Sequence, residues 1–266
     1  MDEKINVIDN KTNEHKITVM DVVVLAGEIL LHSGAEIFRV QETMTRIARA
    51  YGVESFDVYV LSNGIFLSIS ENRQHYSTAI KPIPLSPVHL GRVAELNSLS
   101  RQIVQGEYSL EEAYEKLSAV KEIPYKANWY RVLCSAAGSG CFCYLLSGSV
   151  IDSIPSFLAG GLLQIFVLWY RTKEPSKIML NVIASAISSF CGLMFYRLGL
   201  GEDVNTIISA SIIPLVPGVA VTNSVRDFFN SDYLSGMIRM MDALAIAFSI
   251  AVGVGGTLMM WNHFFA

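Results

Sequence analysis

The chain has 266 residues, of which 52% are hydrophobic and only 17% are charged, and its mean hydropathy is +0.40. This composition is too apolar for an ordinary soluble protein and too charged for a bundle of membrane spans alone. The formal net charge is −4, with no cluster of Lys and Arg, which argues against a nucleic-acid-binding protein.

The charge is distributed unevenly along the chain. Residues 1–128 carry 13 of the 20 Lys and Arg and 17 of the 24 Asp and Glu. We therefore predict a disordered N-terminal tail at 1–17, a cytoplasmic α/β domain at 18–128 and a transmembrane domain at 129–266. The first twenty residues lack the apolar core and cleavage site of a secretory signal, so the charged part is expected in the cytosol.

The cytoplasmic domain begins with a helical pattern over residues 18–51, with apolar residues at three- and four-residue steps. Ser33-Gly34 interrupts this pattern and Gly52 ends it, which predicts a helical hairpin or a kinked pair. Two β-prone runs around Asn63-Gly64 predict a hairpin, and residues 74–83 a third strand. Two further helices are predicted at 87–105 and 109–122, the second with a capping box of Ser109 and Glu112.

Five apolar stretches follow, each close to the roughly 20 residues that cross the hydrocarbon core. They lie at about 130–150, 154–170, 178–198, 204–221 and 241–261. Basic residues in the loop 171–177 and in the segment 222–240 predict that these connectors are cytoplasmic and the C-terminus is outside. The predicted fold is an α-helical polytopic protein of the bacterial cytoplasmic membrane, with five spans and an N-terminal α/β cytoplasmic domain.

Small residues are frequent in these stretches and predict close packing of helix on helix. The four cysteines fall in apolar runs without a C-x-x-C pair, so we interpret them as buried packing thiols. The five histidines are scattered, and no phosphate-binding G-x-x-x-x-G-K-[ST] motif occurs. We therefore expect no metal site, no cofactor and no ATP hydrolysis in this chain.

The fourth stretch contains Pro214, Pro217 and Gly218 in the run IIPLVPGVAV. Each proline removes a helical donor from a carbonyl one turn earlier, at Ala210 and Ile213, and hydrocarbon offers no replacement. One interpretation is a kinked helix whose carbonyls are satisfied by a neighbouring serine. The alternative is a second half-helix whose first amides, at residues 218–220, present a positive dipole end to an anionic substrate.

Polar residues extend this candidate site into a path. The predicted substrate-path residues are Pro214, Pro217, Gly218, Val219, Thr222, Asn223, Arg226, Asp227, Asn181 and Gln164. A structural alternative exists for several of them, because Arg226 and Asp227 would also serve as an interfacial ion pair and the polar residues as bonds between helices. No Asp, Glu or Lys lies at the centre of a predicted span, which argues against a buried carboxylate relay for protons.

Two stretches carry a family resemblance, AGEILLHSGAEIFRVQETMTRIARAYG at 26–52 and IIPLVPGVAVTNSVRDFFNSDYLSGMIRM at 212–240. They resemble the bacterial threonine/serine exporter (ThrE-like) family, in particular its split, two-component branch with a YjjP-type large subunit. The resemblance extends over nearly the whole chain from about residue 20. It implies export of a small amino or carboxylic acid, such as threonine, serine or a succinate-like dicarboxylate, driven by the proton gradient.

The resemblance also implies a partner, because the long fused members of the family have a second membrane half that this chain lacks. A separate small membrane subunit is therefore expected, within a higher oligomer in the lipid bilayer. In the motif H-S-G-A-E-x-x-R-V, the residues His32, Ser33, Glu36 and Arg39, followed by Glu42, are candidates for a cytoplasmic gate. The alternative for these charges is solvated ion pairing along one helix.

Two other functions remain as alternatives to transport. A membrane-anchored hydrolase would use His32, Ser33 and Glu36, although Ser33 lacks the G-x-S-x-G context of a nucleophile elbow. A metabolite sensor would use the cytoplasmic domain for binding and the spans as an anchor. A broken span serves no purpose in anchoring, which favours the transporter.

Overall fold

The computed structural model describes residues 17–71, 75–83, 88–173 and 176–265. The chain forms two compact units, residues 1–123 and residues 124–266. The tail predicted to be disordered, 1–17, lies outside the described residues except for its last position.

The first unit opens with two helices, α1 (Val19–His32) and α2 (Ile37–Ala50). Thr18 caps α1 and shares a capping box with Asp21. The turn between the helices contains Gly34 at φ +80°, where a Cβ atom would lie 2.8 Å from Cγ2 of Val88. The predicted helical hairpin is therefore present, and it needs glycine at this turn because L side chains rarely adopt this conformation.

A three-stranded antiparallel sheet follows, with β1 (Ser55–Leu61), β2 (Gly64–Glu71) and β3 (His75–Pro82) in sequence order. Leu61 pairs with Gly64, so the first hairpin turns through Ser62 and Asn63, and Gly64 is already the first residue of β2. The three predicted strands are confirmed. The turn lies one residue earlier than the Asn-Gly signal indicates.

Two more helices complete this unit, α3 (Leu90–Val104) and α4 (Leu110–Lys121). The predicted capping box of Ser109 and Glu112 begins α4. The four helices and the sheet share one core, whose largest fully buried side chains are Leu30, Ile37, Met44, Ile47, Ile65, Leu96, Ile103 and Leu117.

All regular elements that the structure describes in the second unit are helices. Its helices are α5 (Asn128–Leu145), α6 (Val150–Arg171), α7 (Lys177–Arg197), α8 (Val204–Ser211), α9 (Gly218–Phe229) and α10 (Tyr233–Phe265). By length and composition α6, α7 and α10 can each cross a membrane. The segments 204–215 and 218–229 meet the same test together as one pair, which is bent by 65°.

The first of the five predicted spans corresponds to α5, which is not among the helices that meet this test and which ends at Leu145 instead of residue 150. Ser147 adopts a left-handed conformation at φ 69°, and the N–H of Gly148 donates to the carbonyl of Cys143 at 3.0 Å, which ends the helix. The next helix begins at Val150 with Ser149 as its cap, four residues before its predicted start at 154.

The segment 222–240, which was expected to connect the last two spans, is almost entirely helical. Helix α9 continues to Phe229, and α10 begins at Tyr233, eight residues before the predicted start of the last span. A short turn containing Ser231 at φ 65° joins them into a hairpin. The basic residues of this segment therefore belong to two packed helices.

The cysteine prediction is only partly correct. Cys143 is buried and Cys191 half-buried, but Cys134 and Cys141 are exposed on the surface of this chain. Both of these thiols lie on α5, on the side of the helix that the rest of the chain leaves uncovered.

Small residues do bring helices together, as predicted. A Cβ atom at Gly160 of α6 would overlap Ser139 of α5, and one at Gly253 of α10 would overlap the Ser185 hydroxyl of α7. The backbones of both helix pairs approach closely at these points.

Candidate functional site

The candidate site is the break between α8 and α9. Helix α8 ends at Ser211, a 3-10 turn covers Ile213–Leu215, and α9 begins at Gly218. Pro214 lies within the 3-10 turn, and Pro217 is the N-cap of α9. The second half-helix therefore exists, and its axis differs from that of the first by 65°.

The backbone at the break is partly satisfied by the tight turn. The N–H of Val216 donates to the Ile213 carbonyl at 3.0 Å, so this carbonyl has a backbone donor in the 3-10 turn in place of the helical donor that Pro217 removes. The N–H of Gly218 donates to the Val216 carbonyl at 2.8 Å and is also occupied. Among the described residues, the N–H groups of Val219 and Ala220 have no acceptor. The positive end of the α9 dipole is thus formed by two amides and not three.

Leu215 anchors the break to α6 and α7. Its side chain packs against a buried cluster of Leu163, Val167, Leu180 and Ala184. The predicted path residues Gln164 and Asn181 are the neighbours of Leu163 and Leu180 in sequence. Gln164 is half-buried and Asn181 is 8% exposed.

A polar contact directly before the break involves Ser211, which was not among the predicted residues. The hydroxyl of Ser188 in α7 donates to the hydroxyl of Ser211, the last residue of α8, at 2.9 Å, and both side chains are buried. Ser211 in turn donates to the Ile208 carbonyl at 2.8 Å. Its position three residues before Pro214 was the available signal, because Ser and Thr side chains can satisfy backbone groups that a proline leaves without a helical partner.

One side of the break is open in this chain. Gly218 is exposed, and a Cβ atom built on it meets nothing within 4 Å. Val216 and Val219 are each 48% exposed. The chain by itself therefore encloses the break on the side of Leu215 and leaves the side of Gly218 uncovered.

The predicted path residues of α9 lie on different faces of the helix. Thr222 is exposed and its hydroxyl donates to the Gly218 carbonyl at 2.9 Å. Asn223 is half-buried and Arg226 is exposed. Asp227 faces α10 and forms a buried ion pair with Arg239 at 3.6 Å. Arg239 was not among the predicted residues, because the segment that contains it was interpreted as a connector.

The candidate gate residues belong to the first unit, around the turn between α1 and α2. His32 is the last residue of α1 and Glu36 is the N-cap of α2, so Glu36 lies just outside the helix. The Nε atom of Arg39 lies 3.8 Å from a carboxylate oxygen of Glu36. Glu42 pairs with Arg46 at 2.6 Å in an exposed position.

Ser33 is unsuited to the role of nucleophile in the hydrolase alternative. Its side chain is 1% exposed, and within the described part of the chain its hydroxyl has no hydrogen-bond partner and hence no base. Its carbonyl accepts from the N–H of His89 at 3.0 Å, which ties the turn to the residues before α3. This part of the motif holds the fold of the first unit.

Known proteins resemble this chain over nearly its whole length. The family model described as "Putative threonine/serine exporter" matches residues 21–261. The "Probable succinate transporter subunit YjjP" of Klebsiella aerogenes is 26% identical over 88% of this chain and 90% of that protein. Its namesake in Escherichia coli is 25% identical over 94% of this chain and 97% of that protein.

Longer relatives match over only part of their length. The "Threonine/serine exporter" of Corynebacterium glutamicum is 22% identical over 93% of this chain but 52% of its own length. The "Probable threonine/serine exporter" of Mycobacterium tuberculosis is 23% identical over 90% of this chain and 46% of its own length. No solved structure matches the chain. Because the family match covers both units and the broken helix pair, the chain belongs to the threonine/serine exporter family.

Proposed function

We propose that this chain is one subunit of an exporter that moves a small amino or carboxylic acid out of the cytosol. The observation that carries the proposal is the break at 212–217, which interrupts an otherwise apolar helix pair and leaves two backbone amides without acceptors among the described residues. Transporters repeatedly use such half-helix N-termini to hold anionic substrates. An anchor for a sensor domain gains nothing from this interruption.

The proposed topology has five spans, with α5 and the bent pair α8–α9 added to α6, α7 and α10. Helix α5 has 18 residues, which corresponds to about 27 Å and is close to the hydrocarbon thickness. Lys177 at the start of α7 pairs with Asp242 of α10 at 3.2 Å, and Arg171 and Lys173 lie at the end of α6. This concentration of basic residues supports a cytosolic location for that end and for residues 18–128, with the C-terminus outside.

The ion pair between Lys177 and Asp242 also supports an assignment of how deep the break lies in the membrane. Helix α7 runs from Lys177 through Leu180 and Ala184, and these two residues belong to the buried cluster against which Leu215 packs. About seven residues of helix correspond to about 10 Å. We therefore assign the break to the cytosolic third of the membrane, with α9 leading from it toward the cytosol.

We further propose that a carboxylate of the substrate binds to the N–H groups of Val219 and Ala220. These amides and the helix dipole favour an anion. The hydroxyl of Thr222 donates a hydrogen bond to the Gly218 carbonyl and so supports the first turn of α9. Threonine, serine and succinate, which the names of the relatives mention, all carry a carboxylate. The proton gradient is the proposed energy source, and a separate small membrane subunit is the proposed partner.

The test is efflux from vesicles loaded with labelled threonine, serine or succinate, with both subunits present. The variant Gly218→Leu adds a side chain in front of the two amides without a clash inside the chain, so we expect normal insertion and at least a tenfold loss of efflux. Gly256→Leu is the matched control, because its Cβ atom also meets nothing within 4 Å. Wild-type efflux by Gly218→Leu would contradict the assignment of this site.

A further inference from the structure

We propose that the exposed face of α9 is the docking surface for the second membrane subunit, and that this subunit closes the open side of the break. The inference rests on the proposed transport function. We define the α9 face as the exposed residues Gly218, Val221, Thr222, Val225 and Phe229.

The α9 face is a continuous stripe that starts at the break. Its members recur at intervals of three and four residues, so they lie along one side of the helix. Val221 is 39%, Val225 40% and Phe229 85% exposed. The opposite side of α9, with Ser224 and Asp227, is buried against α10, with which α9 packs most extensively.

Lipid alone is a poor cover for the end of this stripe. The N–H groups of Val219 and Ala220 adjoin Gly218 and have no acceptor in the described part of the chain. Irregular backbone with open polar groups is tolerated at membrane depth only where protein covers it or where it lines a wet cavity. A second protein beside the α9 face meets both conditions, because it would form the other wall of such a cavity.

The length of the fused relatives identifies the kind of partner. The alignment with the Corynebacterium glutamicum exporter covers 93% of this chain but only about half of that protein. The other half of the exporter has no counterpart in this chain. A polypeptide that resembles the unmatched half is the occupant that we assign to the α9 face. A fused relative would supply the same wall from its own chain.

A second apolar surface lies between α5 and α6 and has the features of a lipid-facing groove. It has a volume of about 630 Å³ and is lined by Trp129, Val132, Leu133, Phe157, Leu162 and Ile165. Near one end, Lys173 lies 4.2 Å from the ring centre of Trp169, an arrangement typical of the membrane interface. All of its backbone is in regular helices, so hydrocarbon can cover it. This groove therefore provides the control surface.

The experiment is photo-crosslinking of the full chain in the membrane of its own host. A benzophenone amino acid replaces Val225 on the α9 face or Leu162 in the groove, which are 40% and 44% exposed. We expect a product from position 225, at least tenfold above that from position 162, with a membrane protein that matches the unmatched half of the fused exporter. Equal yields at both positions, or a product from position 225 containing only a second copy, another part of the same chain or lipid, would overturn the assignment.

A second measurement separates the surface from the transport function. Val225→Glu should reduce co-purification of the partner at least tenfold, and Leu162→Ala should leave it unchanged. If the crosslink forms but no tested acid leaves the vesicles, the docking surface stands and the proposed function fails. If efflux occurs and neither the crosslink nor the effect of Val225→Glu is found, the proposed function stands and the surface is refuted.

Discussion

Arg239 of α10 lies 3.6 Å from Asp227 of α9, and their side chains are only 8% and 3% exposed. This ion pair joins the two helices of the hairpin on the C-terminal side of the break. Ser224 strengthens the same contact, since its hydroxyl donates to the Gly236 carbonyl at 2.6 Å. The direction in which α9 leaves the break is therefore determined by α10.

We predict that loss of either partner of this pair destabilises the second unit by about 3–5 kcal/mol, because the remaining charge stays buried. Asp227→Leu and Arg239→Leu should each lower the melting temperature of the purified chain in detergent. The double variant should recover most of the loss, since two apolar residues replace the pair.

Efflux then distinguishes the two roles proposed for Asp227. If its role is to orient α9, the double variant recovers efflux together with stability. A double variant that is stable but inactive would instead assign Asp227 to the substrate path.

The contact between α7 and α10 gives a second prediction. Gly253→Ala would place a methyl group against the Ser185 hydroxyl and the Val182 carbonyl, so the helices must separate. We expect a loss of about 1–3 kcal/mol in the free energy of unfolding. Gly255→Ala is the control on the same helix, because nothing lies within 4 Å of its Cβ position. A similar loss in both variants would point to helix propensity or another general effect in place of close packing.

Asp152, in the first turn of α6, provides a third prediction. Its carboxylate accepts from the N–H groups of Glu202 at 2.6 Å and Asp203 at 3.1 Å, and from the Ser149 hydroxyl at 2.8 Å. Asp152→Ala leaves these donors unpaired and should cost about 1.5–3 kcal/mol.

The exposed Asp203, which caps α8, is the comparison for this variant. Asp203→Ala removes one helix cap and should cost about 1 kcal/mol. Thermal unfolding of both variants measures the two losses in stability, and the loss should be larger for Asp152→Ala. A larger loss for Asp203→Ala would contradict the conclusion that Asp152 joins the start of α6 to the segment before α8.

The fourth prediction concerns pH and the first unit. Glu28 binds Lys121 at 2.9 Å and Lys81 at 3.2 Å. Burial alone raises the pKa of Glu28, but the hydrogen bonds from Lys121 and Lys81 outweigh it and hold the pKa below its ordinary value of 4.5. The stabilisation is therefore present above pH 4.5 and is lost as the pH falls through the lower pKa of the folded state.

Hydrogen exchange in α1 and α4 measures this effect within the first unit. Protection in the wild-type chain should fall on acidification below pH 4.5 more steeply than in Glu28→Gln. Both lysines are about half exposed, so the contribution should stay below about 1 kcal/mol. Identical acid profiles for the two proteins would contradict the prediction.

Local sequence signals determined much of the first unit. Thr18 and Ser109 cap α1 and α4, and each has an acidic partner three residues later in a capping box. Gly34 occupies the left-handed turn between α1 and α2. These features depend on residues within one turn of each other, so a single sequence contains them. The hairpin register differed by one residue because the pairing of Leu61 with Gly64 is decided across strands.

The sequence also determined that the helix around Pro214 and Pro217 must break, since proline cannot donate and clashes within a helix wherever it occurs. The course of the chain after the break was decided by the tertiary structure. Arg239 pairs with Asp227 only because a turn at Ser231 folds α10 back along α9, and periodicity alone does not reveal which helix a charged residue will face. Likewise, Ser188 meets Ser211 across 23 positions of sequence because α7 and α8 pack together. Local chemistry specifies where a helix begins, ends or bends, whereas burial and pairing depend on neighbours that only the folded chain brings into contact.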